Sequence, residues 1–171
     1  MISEREQKLQ SIVELEHKLN EIQDVDILLE KILTETRRIV NADAGSIYVV
    51  SGMHNTNLQI KYSQNDTQLK ELPPGEKLPY SFFSFPINDK SVAGYVASMG
   101  TALNIEDAYN LSPELPFKFN ELSDLTTNYR TKSMLTIPLK MANETLLGVL
   151  QIINARDKEG NVISFDADAE L

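Results

Sequence analysis

Three stretches near the end of the chain decide its fold: residues 129–140 read Y-R-T-K-S-M-L-T-I-P-L-K, residues 146–157 read L-L-G-V-L-Q-I-I-N-A-R-D, and residues 164–171 read S-F-D-A-D-A-E-L. The first two are apolar and separated by the polar pair Asn143-Glu144, which predicts a β-hairpin. Ser164 or Asp166 can cap a helix that begins only one turn before Leu171. We therefore expect the chain to be a fragment of a longer protein that stops just after its last helix begins.

The composition is that of a globular domain, with 42% hydrophobic and 24% charged residues in 171. The formal net charge of -9 argues against nucleic acid and anionic membranes as partners, because both require a basic surface. The chain has no cysteine, which excludes a disulfide, a thiolate nucleophile, a zinc–cysteine site and a thioether-linked chromophore. We find no apolar run of membrane-spanning length and expect a cytoplasmic protein.

Residues 1–40 contain neither Gly nor Pro and are predicted to be helical. Apolar residues recur at alternating steps of three and four, which is typical of a coiled-coil seam: Ile12, Leu15, Leu19, Ile22, Leu29 and Leu33. An Asp at 24 or 26 predicts a break near residue 24. We expect residues 1–24 to be a signalling and dimerisation helix that pairs with a second copy, and the Ile27–Val40 segment to pack on the sheet.

The remaining chain predicts an antiparallel sheet with helices on one face and a loop-covered pocket on the other. Residues 46–50 and 58–63 are predicted strands, 64–79 a loop, and 91–99 a short helix ended by Gly100. A brief strand at 102–105 is followed by a long irregular segment, 107–127, that we expect to cover the pocket. The two strands of the hairpin are predicted at 133–141 and 146–154.

Four separated blocks resemble the GAF domain, a small-molecule-sensing module of cyclic-nucleotide phosphodiesterases, bacterial cyclases and sensor kinases. Residues 90–97 (KSVAGYVA) resemble its IAGxVA helix start, and residues 100–109 (GTALNIEDAY) its G…LNIPDAY block. Residues 124–131 (DLTTNYRT) resemble D…TGFRT, and residues 148–154 (GVLQIIN) resemble GVAELVNK. The resemblance covers about residues 27–171, so we assign residues 25–171 to a GAF-like domain that stops at the start of its last helix.

The resemblance implies a ligand pocket over the sheet, and in cyclic-nucleotide-binding members the positions that face the ligand match Ser46, Val92, Ala93, Asp124, Thr127, Thr131 and Gln151. Backbone N–H groups at the helix start around Val92 can bind a phosphate without a basic side chain. Threonine hydroxyls can donate to phosphate or ring atoms, and an Asp or Gln can read the edge of a base.

The sequence departs from the family's cyclic-nucleotide signature, which is Asn-Lys, a spacer, Phe, then Asp-Glu. Asn154, Phe165 and Asp168 match, but Ala155 stands in place of the Lys and Ala169 in place of the Glu. In the family's signature, the Lys and the Asp resemble a structural ion pair that closes the site. Asp168 therefore lacks this partner here. Three interpretations stay open: a different small ligand, a cyclic nucleotide, or a ligand-free dimerisation scaffold.

Catalysis and metal binding have little support in the sequence. The only histidines are His17, on the charged helix, and His54, in a turn, so a metal site or a Ser-His-Asp triad lacks convergent ligands. The aromatic residues Tyr80, Phe82, Phe83 and Phe85 fit a structural core first and ligand stacking second. A pocket filled by Phe82, Phe83 or Tyr109 would indicate a scaffold.

The expected protein is a non-enzymatic regulatory domain of a multidomain bacterial signalling protein, without a cofactor or metal. Its expected partners are a small-molecule ligand, a second copy in a parallel homodimer, and a covalently linked output domain such as a phosphodiesterase, cyclase or kinase. Ligand binding would shift the equilibrium between two arrangements of the terminal helices.

Overall fold

A computed structural model describes residues 4–20, 25–73, 76 and 83–166. Within these ranges the helices are α1 (Glu4–Asn20), α2 (Val25–Ile39), α3 (Asp66–Glu71), α4 (Val92–Met99) and α5 (Leu122–Thr127). The strands are β1 (Ala42–Ser51), β2 (Asn57–Asn65), β3 (Ser84–Pro86), β4 (Leu103–Ile105), β5 (Met134–Lys140), β6 (Leu146–Arg156) and β7 (Val162–Ile163).

These strands form one antiparallel sheet in the order β3-β2-β1-β6-β5-β4, with β7 paired to the far end of β6. β1 and β6, which are distant in sequence, are the central neighbours, and their register pairs Ser46 with Gln151. The predicted α+β class with an antiparallel sheet and an N-terminal helix is confirmed.

One face of the sheet is covered by α2, whose apolar stripe packs on side chains that alternate inward along the strands. Leu33 is fully buried against a cluster that includes Ile47, Leu150 and Ile152. Gly45 lets the helix approach, since a Cβ there would lie 2.9 Å from Cδ1 of Leu33. The prediction that the Ile27–Val40 segment packs on the sheet is confirmed.

On the opposite face, α4 packs beside the cavity described below. Its start is capped by Ser91, whose side chain accepts a hydrogen bond from the Gly94 N–H at 3.1 Å. Its end is capped by Gly100 in the left-handed conformation, as predicted. The buried side of the helix packs on a cluster that includes Tyr48, Leu58 and Val149.

Three expectations for the chain before the hairpin were wrong. The segment 107–127, expected to be irregular, ends in helix α5. β1 begins at Ala42 instead of Ser46, because β6 pairs with it as far back as Ala42. The predicted loop 64–79 begins with the end of β2 and then α3, which Asn65 caps by accepting a hydrogen bond from the Gln68 N–H. An Asn followed by an Asp is a helix-start signal that the loop interpretation overlooked. Residues 74–75 and 77–82 lie outside the described ranges.

The C-terminal hairpin is confirmed, with its turn at Asn143-Glu144 and a positive φ of 65° at Glu144. The predicted helix after Phe165 falls on residues 167–171, which are outside the described part. Phe165 itself is buried in the cluster around Leu33.

α1 contacts α2, and its Lys8 lies 3.7 Å from the carboxylate of Asp166. Leu9, Ile12 and Val13 are about half exposed on this helix. The predicted break near residue 24 lies outside the described residues. The side chains of the seam positions Leu15, Leu19 and Ile22 are not described either. The pairing of this helix with a second copy stays a prediction.

We find no helix in the described ranges that is both long enough and apolar enough for a bilayer crossing.

The contact of α2 with the sheet can be tested by truncating its central side chain. We expect Leu33→Ala to lower the free energy of unfolding by about 2–5 kcal/mol, since it leaves a cavity between helix and sheet. Val25→Ala on the same helix, at 64% exposure, should change it by about 0.5 kcal/mol or less. Urea denaturation measures both, and equal losses would contradict the packing.

Candidate ligand-binding cavity

A cavity of about 680 Å³ lies on the face of the sheet opposite α2. Its floor comes from β1, β2, β5 and β6, one wall from β3 and the start of α4, and its cover from residues 118–131, here called the roof. All seven predicted positions lie on the wall of this cavity: Ser46, Val92, Ala93, Asp124, Thr127, Thr131 and Gln151. Their contact with a ligand stays a prediction.

A row of polar side chains crosses the floor between the apolar clusters. Strand register pairs Ser63 with Ser46, Ser46 with Gln151, and Gln151 with Thr136. The hydroxyls of Ser46 and Ser63 are 2.9 Å apart. Since cross-strand partners point to the same face, the sheet carries hydrogen-bonding groups where an ordinary core would be apolar.

The side-chain amide of Gln151 has a hydrogen-bonded nitrogen and an oxygen that can still accept a hydrogen bond. Its Nε2 lies 3.1 Å from Sδ of Met134 and 3.3 Å from Oγ1 of Thr136, to which it donates. Among the described residues no hydrogen-bond partner is found for its Oε1, and the side chain lies on the cavity wall at 8% exposure. The residue therefore presents an acceptor, where the sequence left both donor and acceptor open.

The two threonines of the roof have their hydroxyl protons engaged. Thr127 donates to the Ser123 carbonyl at 2.8 Å, and Thr131 donates to Oδ1 of Asp124 at 2.9 Å. The expectation that they donate to a ligand therefore needs a correction: in this arrangement their oxygens can only accept. Sequence reasoning missed this because both partners are set by the local fold of the roof.

Asp124 lies on the cavity wall, but its carboxylate holds the roof together. Besides the Thr131 hydroxyl, it accepts hydrogen bonds from the Thr131 N–H at 2.6 Å and from the Tyr109 hydroxyl at 3.0 Å. Arg130 stacks on the Tyr109 ring at 4.1 Å. With one lone pair of Oδ1 left, Asp124 organises the site more than it reads a ligand.

Asn154 fixes the strand-side end of the roof, with a positive φ of 57° that Asn tolerates. Its Oδ1 accepts from the Lys132 N–H at 2.7 Å. Its Nδ2 donates to the Arg130 carbonyl at 2.8 Å and to the Tyr129 hydroxyl at 2.9 Å. Asn154, which matches the Asn of the family's cyclic-nucleotide signature, thus holds the backbone at the end of the roof in place.

The Tyr129 hydroxyl in turn donates to Oδ2 of Asp43 at 2.8 Å. Oδ1 of Asp43 lies 2.8 Å from Nη2 of Arg156, outside good hydrogen-bond geometry, so this contact is an ion pair. Arg156 directly follows Ala155, which stands where the family's signature has Lys. The structure pairs it with Asp43, and Asp168 is outside the described part.

Aromatic rings at or beside β3 and on β1 line part of the cavity. Phe83 stacks on Phe85 with centroids 5.9 Å apart, and Tyr48 meets Phe85 edge-on at 5.4 Å. Phe83 and Phe85 lie on the wall, and Tyr109 lies outside the cavity lining. Tyr80 and Phe82 are outside the described residues. The described rings leave the cavity open.

Among the described residues, the charged side chains that line the cavity are Lys90 and Lys118, near the start of α4, and Asp124. In the described ranges, no group of three or more His, Asp or Glu side chains could hold a metal ion. His54 is exposed in its turn, with a positive φ of 73°. The side chain of His17 is not described.

The model of the GAF domain family matches residues 24–170, so the chain belongs to the GAF domain family. It is similar to a cGMP-specific 3',5'-cyclic phosphodiesterase of Drosophila virilis, with 31% identity over 152 residues, which is 86% of this chain and 16% of that protein. A dual 3',5'-cyclic-AMP and -GMP phosphodiesterase 11A of Takifugu rubripes is 29% identical over 99% of this chain and 17% of its own length. The chain thus spans about one sixth of these curated relatives.

Solved structures show the same fold at low identity. The GAF domain of an Acinetobacter phosphoenolpyruvate-protein phosphotransferase superposes with a TM-score of 0.66 at 18% identity, over 96% of this chain and 84% of that chain. A free methionine-R-sulfoxide reductase from Neisseria meningitidis gives 0.67 at 13% identity, over 95% and 79%. Since one fold carries both, function has to be argued from the cavity.

The burial of Tyr129 predicts a pH effect. Burial, and then the hydrogen bond to Asp43, raise the pKa of Tyr129 far above its ordinary value. The neutral phenol therefore contributes stability that is fully present below about pH 10, the usual tyrosine pKa, and is lost as pH rises toward the folded-state pKa. Above about pH 10, we expect the free energy of unfolding of the unsubstituted protein to fall more steeply than that of Tyr129→Phe, by up to about 1.4 kcal/mol per pH unit.

Urea denaturation at several alkaline pH values measures both slopes, and the difference between the two proteins removes the contribution of the other tyrosines. Parallel slopes would contradict the burial of this phenol.

Proposed function

We propose that this chain is the regulatory ligand-binding domain of a larger signalling protein and is not itself catalytic. The observation that carries the proposal is the roofed cavity of about 680 Å³ with a polar row across its floor. Within the described residues the groups of this row bond to one another except for Oε1 of Gln151. Because a few placed polar groups in a largely apolar cavity are typical of small-molecule sites, the row supports a small polar ligand.

The polar groups divide the cavity into two ends of different chemistry. Near the start of α4, the N–H groups of Val92 and Ala93 precede the first intrahelical bonds, and Lys90 and Lys118 lie beside them. This end suits an anionic group. The other end presents acceptors, from Gln151 and from the two threonines, and suits a ligand edge with N–H or O–H donors.

Cyclic nucleotides have both features, and the curated relatives named above are phosphodiesterases of cGMP or of both cAMP and cGMP. We therefore propose a 3',5'-cyclic nucleotide as the ligand class. The aromatic wall of Phe83 and Phe85 offers a stacking surface for a base. Ala155, which stands where the signature has Lys, is not among the described residues that line the cavity. The cavity wall therefore loses no binding group through this difference.

The output is proposed to be a covalently linked domain, reached through the N-terminal helices. The exposed apolar residues Leu9, Ile12 and Val13 of α1 fit a helix that pairs with a second copy, with residues 1–24 as the dimerisation segment and 25–171 as the sensor. A bacterial, cytoplasmic setting completes the proposal.

Binding is tested with the purified chain by isothermal titration calorimetry against cGMP, cAMP and 5'-GMP. We expect a cyclic nucleotide to bind and 5'-GMP to bind at least about tenfold more weakly, since its extra charge and open phosphate do not match a preformed site.

A matched pair of variants locates the binding. Gln151→Leu removes the acceptor of the floor and should weaken binding by about three- to tenfold. Gln59→Leu makes the same change on β2 at a position off the cavity wall and should leave the affinity unchanged. Absence of binding by either cyclic nucleotide, or equal effects of the two variants, would contradict the proposed ligand class.

A further inference from the structure

We propose that Asp43 is the positioning residue of the cavity, which binds the roof through its buried carboxylate and the end of helix α2 through its backbone carbonyl. The inference rests on the proposed function, because the roof matters for signalling only if the cavity binds a ligand. The residues that carry it, here called the Asp43 network, are Asp43, Tyr129, Thr67, Arg156 and Arg37.

The Asp43 carboxylate joins three parts of the chain at the start of β1. Oδ2 accepts hydrogen bonds from the Tyr129 hydroxyl and from the Thr67 hydroxyl, both at 2.8 Å. Oδ1 faces Arg156 at 2.8 Å, and Nη2 of Arg156 also donates to Thr67 at 2.7 Å. Tyr129 belongs to the roof, Thr67 to α3 and Arg156 to β6, so one side chain at 2% exposure fixes their relative positions.

The same residue is attached to α2 through its backbone. Nη2 of Arg37, in the last turn of α2, donates to the Asp43 carbonyl at 2.6 Å and lies 2.7 Å from the carboxylate of Asp66 at the start of α3. Nη1 of Arg37 donates to Gln64, which lines the cavity, at 2.9 Å. At 7% exposure this guanidinium cannot exchange its partners for water without leaving the core.

The two helices that flank the cavity mouth also touch each other. Nε2 of Gln68 in α3 donates to the Thr127 carbonyl at the end of α5, at 3.2 Å. A ligand that moves the roof would therefore displace Tyr129 directly and Thr67 through α3. Both side chains are hydrogen-bonded to Asp43, so both displacements change the contacts of its carboxylate. Since an unpaired buried carboxylate is costly, Asp43 favours arrangements in which all its partners stay in place together.

A second buried carboxylate on the cavity supplies the contrast. Asp124 binds Thr131 and the Tyr109 hydroxyl, and its hydrogen bonds stay within the roof and the loop beside it. Tyr109 and Tyr129 thus make the same type of bond, a phenol to a buried carboxylate. Only the Tyr129 bond ends on a residue attached to α2.

The test is hydrogen exchange of the ligand-free chain, with Tyr129→Phe and Tyr109→Phe as a matched pair. Each substitution removes one hydroxyl and keeps the ring. We expect Tyr129→Phe to speed exchange of the amides of residues 33–39 in α2 and 66–71 in α3 by about tenfold, since a hydrogen bond to a charged group is lost. Tyr109→Phe should speed exchange in residues 107–127 and leave α2 unchanged.

Asp43→Asn provides the third arm. If Asp43 is the link, adding Tyr129→Phe to Asp43→Asn should produce no further change in α2. Additive effects, an equal response of α2 to both Tyr→Phe substitutions, or no response of α2 to Tyr129→Phe would each overturn the proposal. Thermal unfolding of each variant verifies that it is folded under the exchange conditions.

Because every arm uses the ligand-free chain, the outcome is independent of which nucleotide binds. A chain that shows the expected exchange pattern but binds no cyclic nucleotide would refute the proposed ligand and keep the assignment of Asp43. The reverse result would refute the assignment of Asp43 alone.

Discussion

The pairing of β1 with β6 is the constraint on which the rest of the molecule depends. It joins residues about a hundred positions apart and places Ser46 beside Gln151 in the middle of the sheet. On one face the same pairing builds the apolar cluster that receives Leu33 of α2. On the other face it forms the polar floor of the cavity. A residue shift in this register would exchange the two faces, so core and site are specified together.

Two buried carboxylates, those of Asp124 and Asp43, hold the roof above that floor in different ways. Asp124 is surrounded by donors of its own neighbourhood, including a backbone N–H, and makes the roof a defined structure. Asp43 is bound by groups from three distant parts of the chain and fixes the roof relative to the sheet and α2. The roof is supported at its ends, and none of the described aromatic side chains fills the space beneath it.

Much of the fold followed from local patterns. Ser91 and Gly100 bound α4 as expected, and the apolar runs around Asn143-Glu144 form the predicted hairpin. The loop assigned to 64–79 was wrong at its start, because the capping by Asn65 outweighs the polar composition of that stretch. The seven positions taken from the family resemblance do line one cavity, but the direction of their hydrogen bonds was beyond the sequence. Thr127 and Thr131 donate their hydroxyl protons to the Ser123 carbonyl and to Asp124, so toward a ligand their oxygens can only accept, where donation was expected.

From the sequence alone followed the antiparallel sheet, helices α2 and α4 and the C-terminal hairpin, because these depend on periodicity and caps. The short motifs carried the resemblance to the GAF family and, through it, seven residues of the cavity wall. Only the tertiary structure decided that Arg156 pairs with Asp43, that Asn154 holds the backbone of the roof, and that Gln151 offers an acceptor. Each of these depends on partners brought together across the sheet. A hydrogen bond needs a distance and an angle between two groups, and no spacing along the chain supplies either.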